Sequence, residues 1–114
     1  MKRLEDIALT PNQHQALAEL RRRLFEEFEI EALILYGSVA RGEADEESDF
    51  DLLVLTTHPL ARPARHKITD VVFEVNLRYD TNFSTLVIDR RSWEIGAVAV
   101  LPLRHEIIKD GIPL

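Results

Sequence analysis

Cysteine is absent from this 114-residue chain. That excludes disulfides, zinc–thiolate sites and a thiol nucleophile, and it suits a reducing, cytoplasmic setting. No apolar run approaches the roughly 18 residues of a membrane span, so no membrane contact is expected. Behind Met1-Lys2-Arg3-Leu4-Glu5-Asp6 there is no apolar h-region, so a secretory signal is not expected either. Repeats, low-complexity tracts and linkers are also missing. Positive charge is short: 14 Lys and Arg stand against 20 Asp and Glu, a formal net charge of −6. General nucleic-acid binding, which rests on neutralising phosphates with Lys and Arg, is therefore not expected. What is present suffices for one core. Hydrophobic residues make up 46% of the chain, too many for a disordered one. A chain of this length buries roughly two-thirds of its unfolded surface on folding. A single domain over residues 1–114 is expected, with residues 1–9 as a loose lead-in.

Local patterns order the elements. Thr10-Pro11-Asn12-Gln13 reads as a helix start, with Thr10 as cap, Pro11 in the first helical position and Gln13 completing a capping box. Leu17, Leu20, Leu24 and Phe28 then make one apolar stripe. Arg21-Arg22-Arg23 lies on its flank and far face, as a solvated surface or a phosphate or partner contact. Ala32–Tyr36 is a short apolar run ended by Gly37 and reads as a buried strand, and Phe50–Leu55 reads as a second. Between them, Arg41 to Ser48 is a polar connection. The next segment fits two periods. Ile68, Val71, Val72, Val75 and Tyr79 share a helical face, whereas Val71, Phe73, Val75 and Leu77 alternate as in a strand. The length of the run from Ala64 to Tyr79 favours the helix. Phe83–Ile88 reads as a third strand, Arg90–Glu94 as a turn or short helix, and Leu103–Lys109 as a last helix closed by Gly111.

Chemistry concentrates where the first strand ends and the second begins. Asp49 and Asp51 are two residues apart at a strand start, so both carboxylates point to one side. Two such groups repel each other unless a cation sits between them. Magnesium is the natural candidate, being a hard ion that takes carboxylate oxygens and keeps positions open for phosphate. Gly37 permits close backbone approach to a ligand, and the Ser38 hydroxyl with nearby amides can donate to phosphate oxygens. Arg41 adds a fixed positive charge. A calcium loop over Asp45–Asp51 fails, because its sixth-position glycine is missing and Phe50 leads into a strand. His14, His58, His66 and His105 are scattered without metal-pair spacing, and Trp93 reads as a packing anchor. Arg62, Arg65, His66 and Lys67 form a basic cluster, either a solvated helix start or a phosphate or partner contact.

Gly37-Ser38 through Arg41-Gly42, followed by Ser48-Asp49-Phe50-Asp51-Leu52-Leu53-Val54, resembles the signature of the polymerase-β-like nucleotidyltransferases, specifically their minimal nucleotidyltransferase group. The resemblance implies an α/β fold: a small mixed β-sheet with helices packed on it, like the palm of polymerase β. It implies that Asp49 and Asp51 are catalytic and hold Mg2+ in a two-metal site, and that Gly37, Ser38, Arg41 and Ser48 hold a nucleoside triphosphate, with ATP as the expected substrate. The reaction implied is transfer of a nucleotidyl group to a hydroxyl, with pyrophosphate leaving. It implies further that the chain is the antitoxin of a toxin–antitoxin pair with a HEPN-type partner. Self-association would be another way to bring an acceptor. Active members carry a third carboxylate on a following strand. Ser84, Thr85, Leu86 and Val87 are the inward candidates of the third strand, and none is acidic. Asp70 could serve only if residues 68–77 form a strand, and Glu74 is a weaker choice. The alternative function is therefore a catalytically inactive module that binds nucleotide or neutralises its partner. Phosphate-ester hydrolysis is weaker still, since nothing singles out a water-activating base.

The charge count bears on the same place. Glu43, Asp45, Glu46, Glu47, Asp49 and Asp51 fall in one window without Lys or Arg, and removing these 6 from the 20 acids leaves 14 against 14 bases. The excess negative charge is concentrated at the candidate metal site and the loop that leads into it.

Overall fold

The computed structural model describes residues 3–43 and 49–114. Residues 3–9, expected as a loose lead-in, contain a 3-10 turn at Leu4–Asp6, and Leu4, Ile7 and Leu9 pack against the core. Helix α1 (Pro11–Glu27) begins as its cap predicts. The Thr10 hydroxyl accepts from the Gln13 N–H at 3.1 Å, and the Gln13 side chain accepts from the Thr10 N–H at 2.9 Å. Ala16, Leu17, Leu20 and Leu24 are its buried stripe. Phe28 stands just beyond the helix in extended backbone and packs at the core's edge. The arginine triplet is a paired surface. Arg22 meets Glu26 at 3.1 Å, Arg23 meets Glu74 at 2.7 Å, and Arg21 lies over the Phe25 ring at 4.8 Å.

Strand β1 (Ile30–Tyr36) runs into a short helix, α2 (Gly37–Arg41), which the sequence patterns do not announce. Strand β2 (Phe50–Thr56), helix α3 (Arg62–Tyr79) and strand β3 (Phe83–Asp89) follow. Then come α4 (Arg90–Ile95), a 3-10 turn at Ala97–Val100, α5 (Pro102–Asp110) and a two-residue strand, β4 (Ile112–Pro113). The sheet order is β3-β2-β1-β4. β1 is antiparallel to both β2 and β4, and β2 is parallel to β3. The parallel pair needs a crossover, which α3 supplies.

Strand β2 lies inside the sheet, and Leu52 through Thr56 are buried, as expected for a strand covered on both faces. Alternation divides its side chains. Phe50, Leu52 and Val54 join the larger core with α1 and α3, whereas Leu53 joins Ile88 and Ile107 in a smaller core edged by Trp93, Val98 and Leu103. Helices therefore cover both faces of the sheet, and Asp51, two residues before Leu53, points to the α4–α5 side.

The segment with two periods is helical. Ile68, Val71, Val72 and Val75 are buried, while Phe73 and Leu77, which a strand would have turned inward, are 65% and 73% exposed. Asp70 and Glu74 therefore lie on α3, packed on the other face of the sheet from Asp51. Neither can complete the carboxylate set, which corrects the expectation for both. Glu74 is occupied instead with Arg23. Gly111 does follow α5, its N–H donating to the Ile107 carbonyl at 2.7 Å. No left-handed turn is used there. A Cβ on Gly111 would overlap the Ile107 carbonyl oxygen and meet Ile34 Cγ2 at 2.7 Å, so glycine is required by space rather than by φ. No helix among the described residues is long and apolar enough to cross a membrane.

The helical reading of 68–77 has a stability signature. Ile68→Ala should cost about 2–5 kcal/mol and Leu77→Ala less than about 0.5 kcal/mol in urea denaturation. Comparable losses at the two positions would contradict it.

Candidate functional site

Tyr36 is the last residue of β1, and the antiparallel register places it directly across from Asp51. Two consequences follow from that single pairing. The chain leaving β1 must turn beside the Asp51 carboxylate, and it does so at Gly37 with φ +80°. A Cβ there would overlap Asp51 Oδ2, so residue 37 is glycine for both conformation and space. The turn opens directly into α2, which is anchored by buried Val39 and Ala40. Ser38 thus stands one residue from the carboxylate, on a short and well-seated helix. Gly42 ends that helix in the left-handed region at φ +74°.

Asp49 is exposed just before β2, and Asp51 is half-buried inside it. Burial pushes the Asp51 carboxyl above its ordinary range, the Asp49 charge pushes it further, and the Arg41 guanidinium pulls it back. Tyr36 is raised as well, by burial and then by the Asp51 charge. The two aspartates are therefore electrostatically coupled, with one guanidinium in partial compensation. Arg41 Nε pairs with Glu43 Oε2 at 3.1 Å on the surface. Such exposed pairs are weak, about 0–1 kcal/mol, so the guanidinium is available to another anion.

This donor set fits magnesium. It consists of the Asp51 carboxylate, whose charge is disfavoured by burial and by the Asp49 charge, and of Asp49 just before the strand, with a glycine turn and a hydroxyl beside Asp51. Among the described residues no group of three or more His, Cys, Asp or Glu side chains could hold a metal. Asp49 and Asp51 are a pair, and phosphate oxygens would have to supply other ligands. Ser48, expected to contact nucleotide, and Asp45, Glu46 and Glu47 lie outside the described residues.

The other candidates are placed elsewhere. Arg62, Arg65, His66 and Lys67 sit at the start of α3, beyond the far end of β2 from Asp51, and Arg65 Nη2 donates to the Val87 carbonyl at 3.2 Å. Trp93 is a packing anchor, with the Arg104 guanidinium 5.2 Å from its ring. The four histidines are exposed. Two residues that sequence reasoning did not place in the site adjoin it. The local pattern gives Tyr36 only as the end of a strand. Ser84, considered only as a failed carboxylate, is the register partner of Asp51 on β3. Strand register is the signal for both, and no local pattern encodes it.

The mixed sheet covered on both faces, with a Gly-Ser turn set against paired aspartates, is the polymerase-β-palm-like nucleotidyltransferase architecture. Residues 17–108 match the family model described as nucleotidyltransferase domain, and the chain belongs to that family. A Methanocaldococcus jannaschii protein named "Putative protein adenylyltransferase" is 41% identical over 69 residues, covering 59% of this chain and 47% of the relative. The chain thus spans about half the length of that curated relative. Among solved structures, one described as "putative minimal nucleotidyltransferase" superposes with a TM-score of 0.58 at 22% identity, covering 89% of this chain and 90% of the other. A chain from the Shewanella oneidensis complex of tri-AMPylated HEPN toxin with MNT antitoxin gives a TM-score of 0.51 at 19% identity, covering 90% of this chain and 67% of that one.

The electrostatics yield a stability prediction. Because the Asp51 carboxyl is raised in the folded state, its contribution to stability is present below the ordinary carboxylate pKa and lost as pH rises through the raised one. Asp51→Asn should therefore raise Tm at pH 7 in chelator, and the gain should vanish as pH falls into the carboxylate range. A lower Tm for the variant at pH 7 would show that the Asp51 charge is stabilised in the fold.

Proposed function

We propose that this chain transfers the adenylyl group of ATP to a hydroxyl side chain of a HEPN-type partner protein in the cytoplasm, and thereby acts as that partner's antitoxin. The observation that carries the proposal is the seating of the Gly37 backbone against Asp51, with Asp49 coupled to it electrostatically. This brings a phosphate-binding turn and a carboxylate pair to one point. The names of the relatives support the donor and the acceptor, since one bears the name "Putative protein adenylyltransferase" and another structure holds an AMPylated HEPN toxin.

Each residue has a role in that chemistry. Asp49 and Asp51 hold Mg2+, which when bound supplies positive charge to the phosphoryl oxygens and makes the acceptor hydroxyl easier to deprotonate. Gly37 lets the backbone come within reach of the triphosphate, and Ser38 donates its hydroxyl to a phosphate oxygen. Arg41 exchanges its surface partner Glu43 for negative charge on the nucleotide, and Ser48 is a further nucleotide contact. The acceptor oxygen forms a bond to the α-phosphorus on the side opposite the leaving group. The bond from that phosphorus to the bridging oxygen breaks, pyrophosphate departs with the electron pair, and the hydroxyl proton passes to water. Tyr36, half-buried, keeps its phenol protonated beside Asp51, held so by burial and then by the Asp51 charge.

A second reading is favoured by one observation: β3 brings no carboxylate to Asp51. On that reading the chain binds nucleotide and neutralises its partner without turnover. Incubation of the protein with its HEPN-type partner and Mg-ATP, followed by intact-mass measurement, separates the two. An adenylyl increment on the partner is expected, with the rate reduced about 100-fold or more in the Asp49→Asn/Asp51→Asn variant. No increment, together with full neutralisation by that variant, would establish the binding module instead.

A further inference from the structure

We infer that Ser84 is the third side chain facing the bound cation, and that its neutral hydroxyl makes this a site that fills tightly only when the nucleotide brings its own phosphates. The inference rests on the magnesium reading above and concerns how this chain departs from a full carboxylate set.

The placement follows from the β2–β3 register. Asp51 pairs with Ser84, and Leu53 with Leu86 two residues further on. Leu53 and Leu86 belong to the same small core on the α4–α5 face, so Asp51 and Ser84 share that face by alternation. The residues just before them confirm the division. Phe50 and Phe83 are paired in register and meet on the opposite face, with ring centroids 5.2 Å apart. Neighbouring strands lie about 4.8 Å apart, so a cation on the Asp51 carboxylate is within reach of the Ser84 side chain. Ser84 is exposed, so nothing of the core covers it.

The position of Ser84 is also held firmly. The Asn76 side chain donates to the Phe83 carbonyl at 3.0 Å and accepts from the Phe83 N–H at 2.8 Å. The Phe50 N–H donates to the Asn82 carbonyl at 2.9 Å. The start of β3 is thus tied both to α3 and to β2 just before the residue in question.

Charge then decides what the site can do. Asp49 and Asp51 together neutralise one divalent cation, and a serine hydroxyl offers an oxygen without charge. A small hard cation dehydrates reluctantly and gains little from a neutral donor. Without nucleotide the protein therefore holds magnesium weakly. With nucleotide, phosphate oxygens supply charged ligands at the positions the two carboxylates leave open, so cation and nucleotide strengthen each other's binding reciprocally. A carboxylate at position 84 would remove that dependence.

Calorimetric titration of the intact protein with Mg2+, alone and with a non-transferable ATP analogue, tests this. Ser84→Asp should bind Mg2+ alone at least about 10-fold more tightly than the wild type and show a larger rise in Tm on adding Mg2+. Ser84→Asn, and Gln15→Glu on α1 across the sheet, should show neither gain. In the wild type the analogue should raise Mg2+ affinity, and in Ser84→Asp the increment should shrink. Unchanged Mg2+ affinity in folded Ser84→Asp, or an equal gain in Gln15→Glu, would overturn the inference. Should Ser84→Asp itself fold poorly, Ser84→Glu takes its place with the same expectation. Loss of Mg2+ binding in Asp49→Asn/Asp51→Asn with no gain in Ser84→Asp removes only the role of Ser84. Unaltered binding in the double variant removes the magnesium reading on which it rests.

Discussion

The pairing of β1 with β2 is the contact on which the candidate site depends. Tyr36 opposite Asp51 is the last step of an antiparallel ladder that begins at Ile30 and Thr56 and passes through one irregularity between Ile30 and Ala32. A slip of one residue would exchange the two faces of β2. It would send Leu52 and Val54 out of the larger core and turn Asp51 into it. Core burial therefore enforces the register, and the register brings the Gly37 turn against the carboxylate. The chemistry sits where the apolar ladder ends, at a position held by side chains that take no part in it.

Negative charge at that point opposes folding. Asp51 is half-buried beside another carboxylate and a half-buried phenol, an arrangement that costs the apoprotein stability. Functional sites are commonly built against local stability in this way. The rest of the fold compensates with ordinary means. One core lies on each face of the sheet, α1 begins with a full capping box, and α4 is capped by Asp89, which accepts from the Ser92 N–H at 3.0 Å. Ion pairs between α1 and α3, such as Arg23–Glu74 and Arg78–Glu19, lie on the outer surface of that layer and contribute little individually.

Much of the architecture was legible from local chemistry. Caps, apolar stripes and short apolar runs bounded by glycine or proline express preferences that act within a few residues, so α1, β1, β2, β3 and α5 could be read directly. The glycine-serine turn and the Asp-x-Asp pair were legible for the same reason, being short and chemically distinctive. The segment at 68–77 was ambiguous because valines at several spacings satisfy both periods. The packing of Ile68 and Val75 under the sheet resolved it, with Phe73 and Leu77 left outside. β4 has no local signal because two residues carry no period, and Ile112 and Pro113 become a strand only by pairing with Leu35 and Ile34.

The sequence alone determined the class of chemistry. Carboxylates at a spacing of two, a glycine where the chain must turn, and an acidic window in an otherwise balanced chain are properties of residue type and interval. These survive any reasonable packing. Tertiary structure alone decided which side chains join them. The helical winding of α3 removed Asp70 and Glu74 to the other face of the sheet. The parallel register of β2 and β3 brought Ser84 beside Asp51, and the antiparallel register of β1 brought Tyr36. Register is set by the fit of whole apolar faces distant in sequence, so no short stretch of this chain could have disclosed it.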